Sequence, residues 1–217
     1  MKAVHFLIAT SLSVCSVAAA QTTQTAPAQA APQARPLERL SREQILVLPV
    51  QYLTFADSLG WSQQAPPSRS YLNSVDDEIA FALTQRGLKG RWTLVPALIR
   101  SIARNPGYAP DPKALAAGEI RYGKKAPDGQ LQEPLGSQLR SLIALTDARY
   151  VLFPVELRFT GSNGMGHAML HLVIIDARRS EVQWSGDLAG SAEARFSPAI
   201  AADIASRLAD LIASPVN

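Results

Sequence analysis

The sequence has few residues that could act as thiols, form disulfides or bind a metal, with one cysteine and three histidines among 217 residues. Cys15 lies in the N-terminal segment, so a chain cleaved after residue 20 contains no thiol. Two histidines then remain, His167 and His171, and both lie on a predicted strand. At about 3.3 Å per residue they are about 13 Å apart, too far to share one zinc ion. We therefore expect neither thiol chemistry nor a metal site.

The sequence also lacks the short motifs of common catalytic sites. It contains no G-x-S-x-G, H-E-x-x-H or S-x-x-K pattern. The glycine-rich segment 161–166 joins two predicted strands and is not followed by Lys-Ser or Lys-Thr, so it does not predict a phosphate-binding loop. Asp176, Asp187 and Glu193 could serve acid–base catalysis, but the position of Asp176 at a chain reversal favours a turn residue. We interpret the chain as a non-enzyme that binds no cofactor.

A strong excess of one charge is missing as well. The formal net charge is +3, and removal of residues 1–20, which hold Lys2 and no acidic residue, lowers it to +2. Nucleic-acid binding needs basic residues clustered on one face, so a nucleic-acid partner is not predicted. The pairs Lys124-Lys125 and Arg178-Arg179 are interpreted as solvated turn charges. Weak contacts with anionic lipid or glycan, and peripheral association with a membrane, remain open alternatives.

Residues 1–20 have the pattern of a secretory signal peptide. Lys2 is followed by a short apolar core, and Ala18 and Ala20 form a small-x-small cleavage site. The apolar run is too short to span a bilayer, so no transmembrane segment is expected in the mature chain. An acylated Cys15 is the alternative, although Val14 does not fit a lipidation site. The prediction is export to the periplasm, with attachment to the outer membrane left open.

The remaining chain divides into a tether and one domain. Residues 21–40 are rich in Gln, Ala, Pro and Thr, which cannot bury enough surface to fold, so a disordered tether is predicted. Residues 41–214 are expected to form a single α/β domain. Within it, residues 105–134 carry several Pro and Gly and little periodicity, which is typical of an insertion that is either functional or disordered.

Apolar periodicity predicts the order β-α-β-α, the insertion, then α-β-β-β-α. Strands are expected at 45–50 and 92–96, and residues 149–190 are expected to form a three-stranded antiparallel meander. In its first strand Val151, Phe153, Val155, Leu157 and Phe159 are predicted to share one face, and in its last strand Val182 and Trp184 are predicted to alternate in phase. The fold class is α/β (α+β), a mixed sheet with helices packed on it.

Four helices follow from capping residues and helical spacing. The first is predicted to start at a capping box of Ser74 and Asp77 and to end at Gly87. The second is expected over residues 97–104, the third carries a stripe from Leu135 to Thr146, and the last starts at Ser197-Pro198.

The segment 51–69 is predicted to be a long loop that contains four large apolar side chains: Tyr52, Phe55, Leu59 and Trp61. Such side chains either fold back onto the body of a domain or form a contact surface. Folding back is favoured, and the same four residues are the candidates for binding a partner.

The segment 172–186, LVIIDARRSEVQWSG, carries the most specific pattern in the chain. An apolar strand, a turn at Asp176, then Glu181, Trp184 and Gly186 form a predicted structural hairpin. Together with residues 45–50, 92–96 and 146–153, this segment resembles bacterial envelope proteins with the fold of the Tol-Pal translocation protein N-terminal domain. That family includes curli-secretion lipoproteins and penicillin-binding-protein activators. The resemblance covers about residues 43–213, apart from the insertion.

The resemblance implies a fold, a periplasmic or outer-membrane setting and the binding of a protein partner. It transfers no catalytic residue. Two positions differ from the family pattern: Ser180 and Pro154 stand where glycine is common. The expected function is therefore a non-catalytic envelope adaptor that binds an envelope protein or a second copy of itself. The alternative is a periplasmic hydrolase, or a protein that binds a small ligand or glycan, with a pocket near 105–134 and 161–166.

Overall fold

The structure, a computed structural model, describes residues 37–56, 58–123 and 129–214. The predicted signal peptide with Ala18 and Ala20, Cys15, most of the predicted tether and Lys124-Lys125 lie outside the described residues.

A six-stranded mixed sheet forms the centre of the domain, with the strand order β3-β1-β4-β5-β6 and with β2 also paired to β4. The three short N-terminal strands pair in parallel, whereas β4, β5 and β6 form an antiparallel meander. The strands are β1 (Ile45–Val47), β2 (Tyr52–Phe55), β3 (Trp92–Thr93), β4 (Tyr150–Ser162), β5 (Met165–Asp176) and β6 (Glu181–Glu193). This architecture confirms the predicted fold class.

Helices cover both faces of the sheet and produce two apolar cores. The first core, the α1–α5 core, packs α1 and α5 on one face, and the second, the α2–α4 core, packs α2, α3 and α4 on the other. The helices are α1 (Ser68–Gln85), α2 (Val95–Arg104), α3 (Gly118–Arg121), α4 (Leu135–Ala144) and α5 (Ala199–Ile212). Two short 3₁₀ helices, Glu38–Arg42 and Trp61–Gln63, complete the elements. None of the helices in these residues is both long and apolar enough to cross a bilayer.

Helix α1 begins six residues before the predicted capping box. Pro67 occupies the N-cap, and Ser68 is the first residue of the helix. Ser74 is therefore a residue within the helix, and its side chain donates a hydrogen bond to the Tyr71 carbonyl at 2.7 Å. The capping-box prediction is therefore wrong. Likewise α2 begins at Val95 instead of residue 97, because Pro96 fits the first turn of a helix, where a missing N–H costs nothing.

Strand β2 lies in the segment that was predicted to be entirely loop, so that prediction is wrong at residues 52–55. β2 pairs in parallel with residues 156–159 of β4, while β1 pairs with residues 150–152 of the same strand. β1 and β2 therefore lie end to end along one edge of β4. Between them the amide of Val50 donates to the side chain of Asp76 at 2.8 Å, which satisfies a backbone group that has left the sheet.

A β-bulge reverses the side-chain alternation of β4. Pro154 pairs with Leu172 and Glu156 pairs with His171, so Val155 is an extra residue without a partner on β5. As a result, Val151, Phe153 and Val155 belong to the α2–α4 core, whereas Leu157 and Phe159 belong to the α1–α5 core. The prediction that these five side chains share one face is wrong for that reason.

A second bulge separates the two apolar residues of β6. Ile175 pairs with Val182 and Ile174 pairs with Trp184, which leaves one extra residue between them. Val182 packs against the α2–α4 core and Trp184 against the α1–α5 core, so they do not alternate in phase. Trp184 lies across Gly186, where an added Cβ would stand 2.6 Å from the indole. Glycine at this position leaves room for the indole to pack against the strand.

Both ends of the predicted insertion are ordered against the sheet. Leu115, Ala117, Ile120 and Leu131 are buried in the α2–α4 core. The buried side chain of Gln51 donates to the carbonyl of Pro112 at 2.9 Å and accepts from the amide of Leu115 at 3.1 Å. At the other end of the chain, Leu37 and Leu40 are buried, so the folded domain includes residues 37–40, which were assigned to the tether.

Candidate partner-binding groove

The four apolar residues predicted to bind a partner pack onto the domain itself. Phe55 stacks on Phe159 with ring centroids 5.0 Å apart, and Trp61 is buried and contacts the same ring edge-on at 5.7 Å. Tyr52 is half-buried beneath the guanidinium of Arg121, whose Cζ lies 4.5 Å from the ring centroid. Leu59 packs against the hairpin. These side chains hold the N-terminal segment on the sheet and leave little surface for another molecule.

Two glycines of the segment 161–166 explain how this packing is possible. A Cβ on Gly166 would lie 2.1 Å from the indole of Trp61, and one on Gly161 would lie 2.7 Å from the side chain of Leu59. The positive-φ positions of the reversal are instead Asn163 and Gly164, at 53° and 76°. The segment therefore combines a tight turn with two places where side chains lie directly on the backbone.

An open apolar groove lies elsewhere, at the edge of the sheet formed by β3. It has a volume of about 560 Å³ and runs between the second half of α1, β3 and the first turns of α2. Its lining residues are Ala80, Phe81, Thr84, Lys89, Gly90, Trp92, Thr93, Leu94, Pro96, Ala97 and Arg100. Within the described ranges, β3 is an edge strand of the sheet, but on its outer side Trp92 bridges to Lys89, and the amide of Trp92 donates to the carbonyl of Leu88 at 3.1 Å.

Phe81 is the most prominent side chain of this groove. The buried face of α1 carries Val75, Ile79 and Leu83, whereas Phe81 falls outside this stripe and is 61 % exposed. A large aromatic side chain left in solvent beside an apolar groove is typical of a binding surface. The sequence contained a signal for it, since Phe81 is an apolar residue out of phase with the helical stripe.

The charged residues of the groove are both basic. In the part of the chain that the structure describes, the side chains of Lys89 and Arg100 make no hydrogen bond or ion pair. The indole Nε1 of buried Trp92 also has no acceptor there. The groove therefore offers positive charge next to an apolar floor.

A buried carboxyl group lies next to the groove, on α1. Asp76 is 3 % exposed, and its second oxygen has no hydrogen-bond partner among the described residues. Burial raises the pKa of Asp76 to about 7, although the amide of Val50 and the charges of Lys113 and Arg69 oppose this shift. Asp76 lines a cavity of about 260 Å³ together with Lys113, and Pro96 borders both this cavity and the groove.

A second polar cluster lies on the opposite face of the sheet around Glu156. This buried carboxylate accepts hydrogen bonds from Arg121 and from Thr54, each at 2.6 Å. Burial raises the pKa of Glu156, but the bonds from Arg121 and Thr54 outweigh it and hold the pKa below its usual range. On the neighbouring strands, His171 Nδ1 lies 2.7 Å from Asp187. Every member is engaged with another protein group, which is the pattern of a structural network.

The insertion borders a cavity of about 270 Å³ that contains two carboxylates, Glu119 and Glu133. Hydrogen bonds from Arg140 and Ser137 lower the pKa of Glu133 to about 2, so it stays ionised and does not suit a general acid. Gly161 borders a different cavity of only about 10 Å³. The structure therefore does not join segments 105–134 and 161–166 into the single pocket considered above.

The charged side chains of the predicted hairpin form hydrogen bonds and ion pairs with other groups of the domain. Asp176 is buried, accepts a bond from Arg149 at 2.9 Å and accepts the amide of Arg179 at 3.2 Å, as expected for a turn residue. Glu181 pairs with the side chain of Arg179 at 3.1 Å. Across the described ranges, no group of three His, Cys, Asp or Glu side chains could hold a metal ion.

Comparison with known proteins gives matches among solved structures. No family model and no curated protein matches the sequence. The LpoB C-terminal domain from Salmonella enterica is 16% identical, with 72% of this chain and 93% of that chain covered and a TM-score of 0.33. Lipoprotein GNA1162 from Neisseria meningitidis is 15% identical, with coverages of 70% and 83% and a TM-score of 0.34. The PelC dodecamer from Paraburkholderia phytofirmans is 16% identical, with coverages of 80% and 90% and a TM-score of 0.34.

One of these neighbours is described as a lipoprotein. At TM-scores of 0.33 and 0.34 the similarity says nothing about function. Function is therefore inferred from the geometry of this chain.

Proposed function

We propose that this protein is a non-catalytic accessory protein of the bacterial cell envelope, and that it binds a protein partner through the groove beside β3. The observation that carries the proposal is the combination of an open apolar groove and an aromatic side chain, Phe81, that lines it and is 61 % exposed. Protein-binding surfaces characteristically place aromatic side chains beside grooves of this kind.

The cellular setting follows from the N-terminal sequence. Residues 1–20 have the pattern of a signal peptide, which supports export to the periplasm, and residues 21–36 would space the domain from its point of attachment. Cleavage after Ala20 gives a free periplasmic protein, whereas acylation of Cys15 would hold it at the outer membrane.

A hydrolytic role is less well supported than partner binding. The cavity beside the insertion has two carboxylates, but the pKa of Glu133 is lowered to about 2 by its bonds to Arg140 and Ser137. A pair of carboxylates in acid–base catalysis requires one member with a raised pKa. The carboxyl with a raised pKa, Asp76, lies in another cavity.

The experiment that tests the proposal is site-specific photo-cross-linking in cells. A photoreactive phenylalanine analogue is placed at Phe81, and a matched chain carries it at Tyr108, which is also highly exposed at 64 % but does not line the groove. We expect one envelope protein to be cross-linked from position 81 and not from position 108. A covalent dimer of the chain itself would identify self-association as the function of the groove.

Equal products from both positions, or none from either, would contradict the proposal. Deleting the segment 52–69 is not a suitable test, because Trp61 is buried in the α1–α5 core and β2 is part of the sheet. Such a deletion would unfold the domain and remove any activity.

A further inference from the structure

The charge of the groove indicates what kind of segment it binds. Lys89 and Arg100 stand among its lining residues, and no lining residue is acidic. The acidic residues at the neighbouring turn of α1 are Asp76 and Asp77, which line the adjacent cavity, and Glu78, which lines neither cavity. The groove therefore presents an apolar floor with an uncompensated positive rim.

Exposed arginines away from the groove, such as Arg104 and Arg195, also lack a side-chain partner in the described ranges, whereas the ion pairs of the domain use other basic residues. Arg121 pairs with Glu156 at 2.6 Å, and Arg149 pairs with Asp176 at 2.9 Å. Arg86 pairs with Asp210 on α5. The side chains of Lys89 and Arg100 remain without a hydrogen bond or ion pair within the described ranges. Their charges are thus available to a second molecule.

An apolar floor makes this positive rim selective. When a bound segment covers the groove, water is displaced and the attraction between opposite charges at its margin becomes stronger than in bulk solvent. A segment with basic residues at the same positions would instead place like charges together in a region of lowered dielectric, which weakens binding.

We infer that the groove binds a linear segment of a partner protein in which an apolar side chain is flanked by Asp or Glu. The apolar side chain packs between Phe81 and Pro96, and the carboxylates pair with Lys89 and Arg100. This inference rests on the proposed function and adds the chemistry of the partner.

The test is a selection from a library of random peptides displayed on phage, with the purified protein as the target. Three variants are selected in parallel: Phe81→Ala, the double charge reversal Lys89→Glu with Arg100→Glu, and the control Arg178→Glu. All four substituted side chains are exposed, so the variants are expected to fold. Arg178 lies in the turn between β5 and β6, on the side of the sheet away from β3.

We expect the wild-type protein and Arg178→Glu to enrich peptides that combine an apolar residue with Asp or Glu. The charge-reversed variant should enrich basic peptides, and its affinity for a wild-type-selected acidic peptide should fall about tenfold or more at low salt. Phe81→Ala should weaken binding of both kinds of peptide.

The outcomes distinguish the proposal that the groove binds protein from the inference that it prefers acidic segments. Peptides that depend on Phe81 but show no acidic preference would overturn the inference about charge and leave the groove as a protein-binding site. Selection of no peptide by any variant would argue against the groove itself. Binding of the protein to phosphatidylglycerol vesicles that is abolished by the charge reversal, together with no peptide enrichment, would show that the positive rim recognises lipid and would overturn the inference.

Discussion

The buried carboxyl group of Asp76 predicts an unusual dependence of stability on pH. The pKa of Asp76 is about 7 in the folded protein, mainly because of burial, against 3.8 for an unperturbed aspartate. Between about pH 4 and pH 7, the carboxyl group of Asp76 therefore keeps its proton in the folded state but has released it in the unfolded state. The contribution of Asp76 to stability is then greatest below about pH 4 and is lost as the pH rises from about 4 to about 7.

The magnitude follows from the size of the shift. Three pKa units correspond to a total of about 4 kcal/mol, at about 1.4 kcal/mol per unit. Two of these units lie between pH 5 and pH 7, so the free energy of unfolding should fall by about 3 kcal/mol between pH 5 and pH 8. The pKa values of Glu133, Glu156 and Asp203 are lowered, so these groups change stability only at more acidic pH.

The assay is urea unfolding of the purified protein at pH 5, 6, 7 and 8 at constant ionic strength, followed by circular dichroism. Asp76→Asn retains an oxygen that accepts the amide of Val50, but it cannot ionise. We expect the variant to lose the pH slope and to be more stable than the wild type at pH 8. Asp77→Asn, an exposed neighbour on the same helix, should keep most of the slope.

A wild-type stability that is constant or rises between pH 5 and pH 8 would refute the reasoning. So would an Asp76→Asn variant that is less stable than the wild type at pH 8, because the buried charge would then be favourable on balance.

Three further predictions concern single positions, each measured by urea or thermal unfolding. Glu156→Ala leaves Arg121 without its anion and should destabilise the protein by about 2–3 kcal/mol. This loss is smaller than for a fully enclosed ion pair, because Arg121 keeps some solvent contact. An unchanged stability would show that the pair contributes nothing on balance. Gly166→Ala places a methyl group 2.1 Å from the indole of Trp61, so we expect a loss of about 3 kcal/mol and a changed tryptophan fluorescence. Ser180→Gly removes a side chain from a position with φ of 53° and should stabilise by up to about 1 kcal/mol, even though the exposed bond from Arg140 is lost; a lower midpoint would argue that the bond outweighs the backbone strain.

Periodicity and turn residues predicted the parts of the fold whose partners are close in sequence. The meander was predicted from its alternation and from the turns at Asp176 and in the segment 161–166, because each hairpin pairs residues near one another in the chain. The apolar stripe of α4 was predicted from Leu135, Leu139 and Leu142 for the same reason, because the residues of one helix face lie only three or four positions apart in the sequence.

The elements that were missed depend on distant partners. β2 has only four residues, all half-buried, and it becomes a strand because β4 offers an edge to it. The bulge at Val155 is a property of the pairing between two strands, so no alternation within β4 alone could reveal it.

The candidate groove was missed for a related reason. It brings together residues from α1, β3 and α2, and its floor exists only after these elements pack. Phe81 could have been noted as an apolar residue outside the stripe of its helix. The unpaired state of Lys89 and Arg100 could not have been predicted, because it depends on where every carboxylate of the folded chain lies.

The end-to-end placement of β1 and β2 along β4 has a consequence for the rate and order of folding. The strands of the meander are joined by short hairpins. In contrast, Ile45 pairs with Tyr150 and Phe55 pairs with Phe159, and about 100 residues of sequence separate the members of each pair. Pairs so distant in sequence are slow to form, because a long loop must be closed before any contact compensates for the lost chain entropy. We therefore expect the transition state for folding to contain the C-terminal meander, with the N-terminal strands added late. A chain that emerges N-terminus first would leave residues 45–55 without their partner strand until β4 is available.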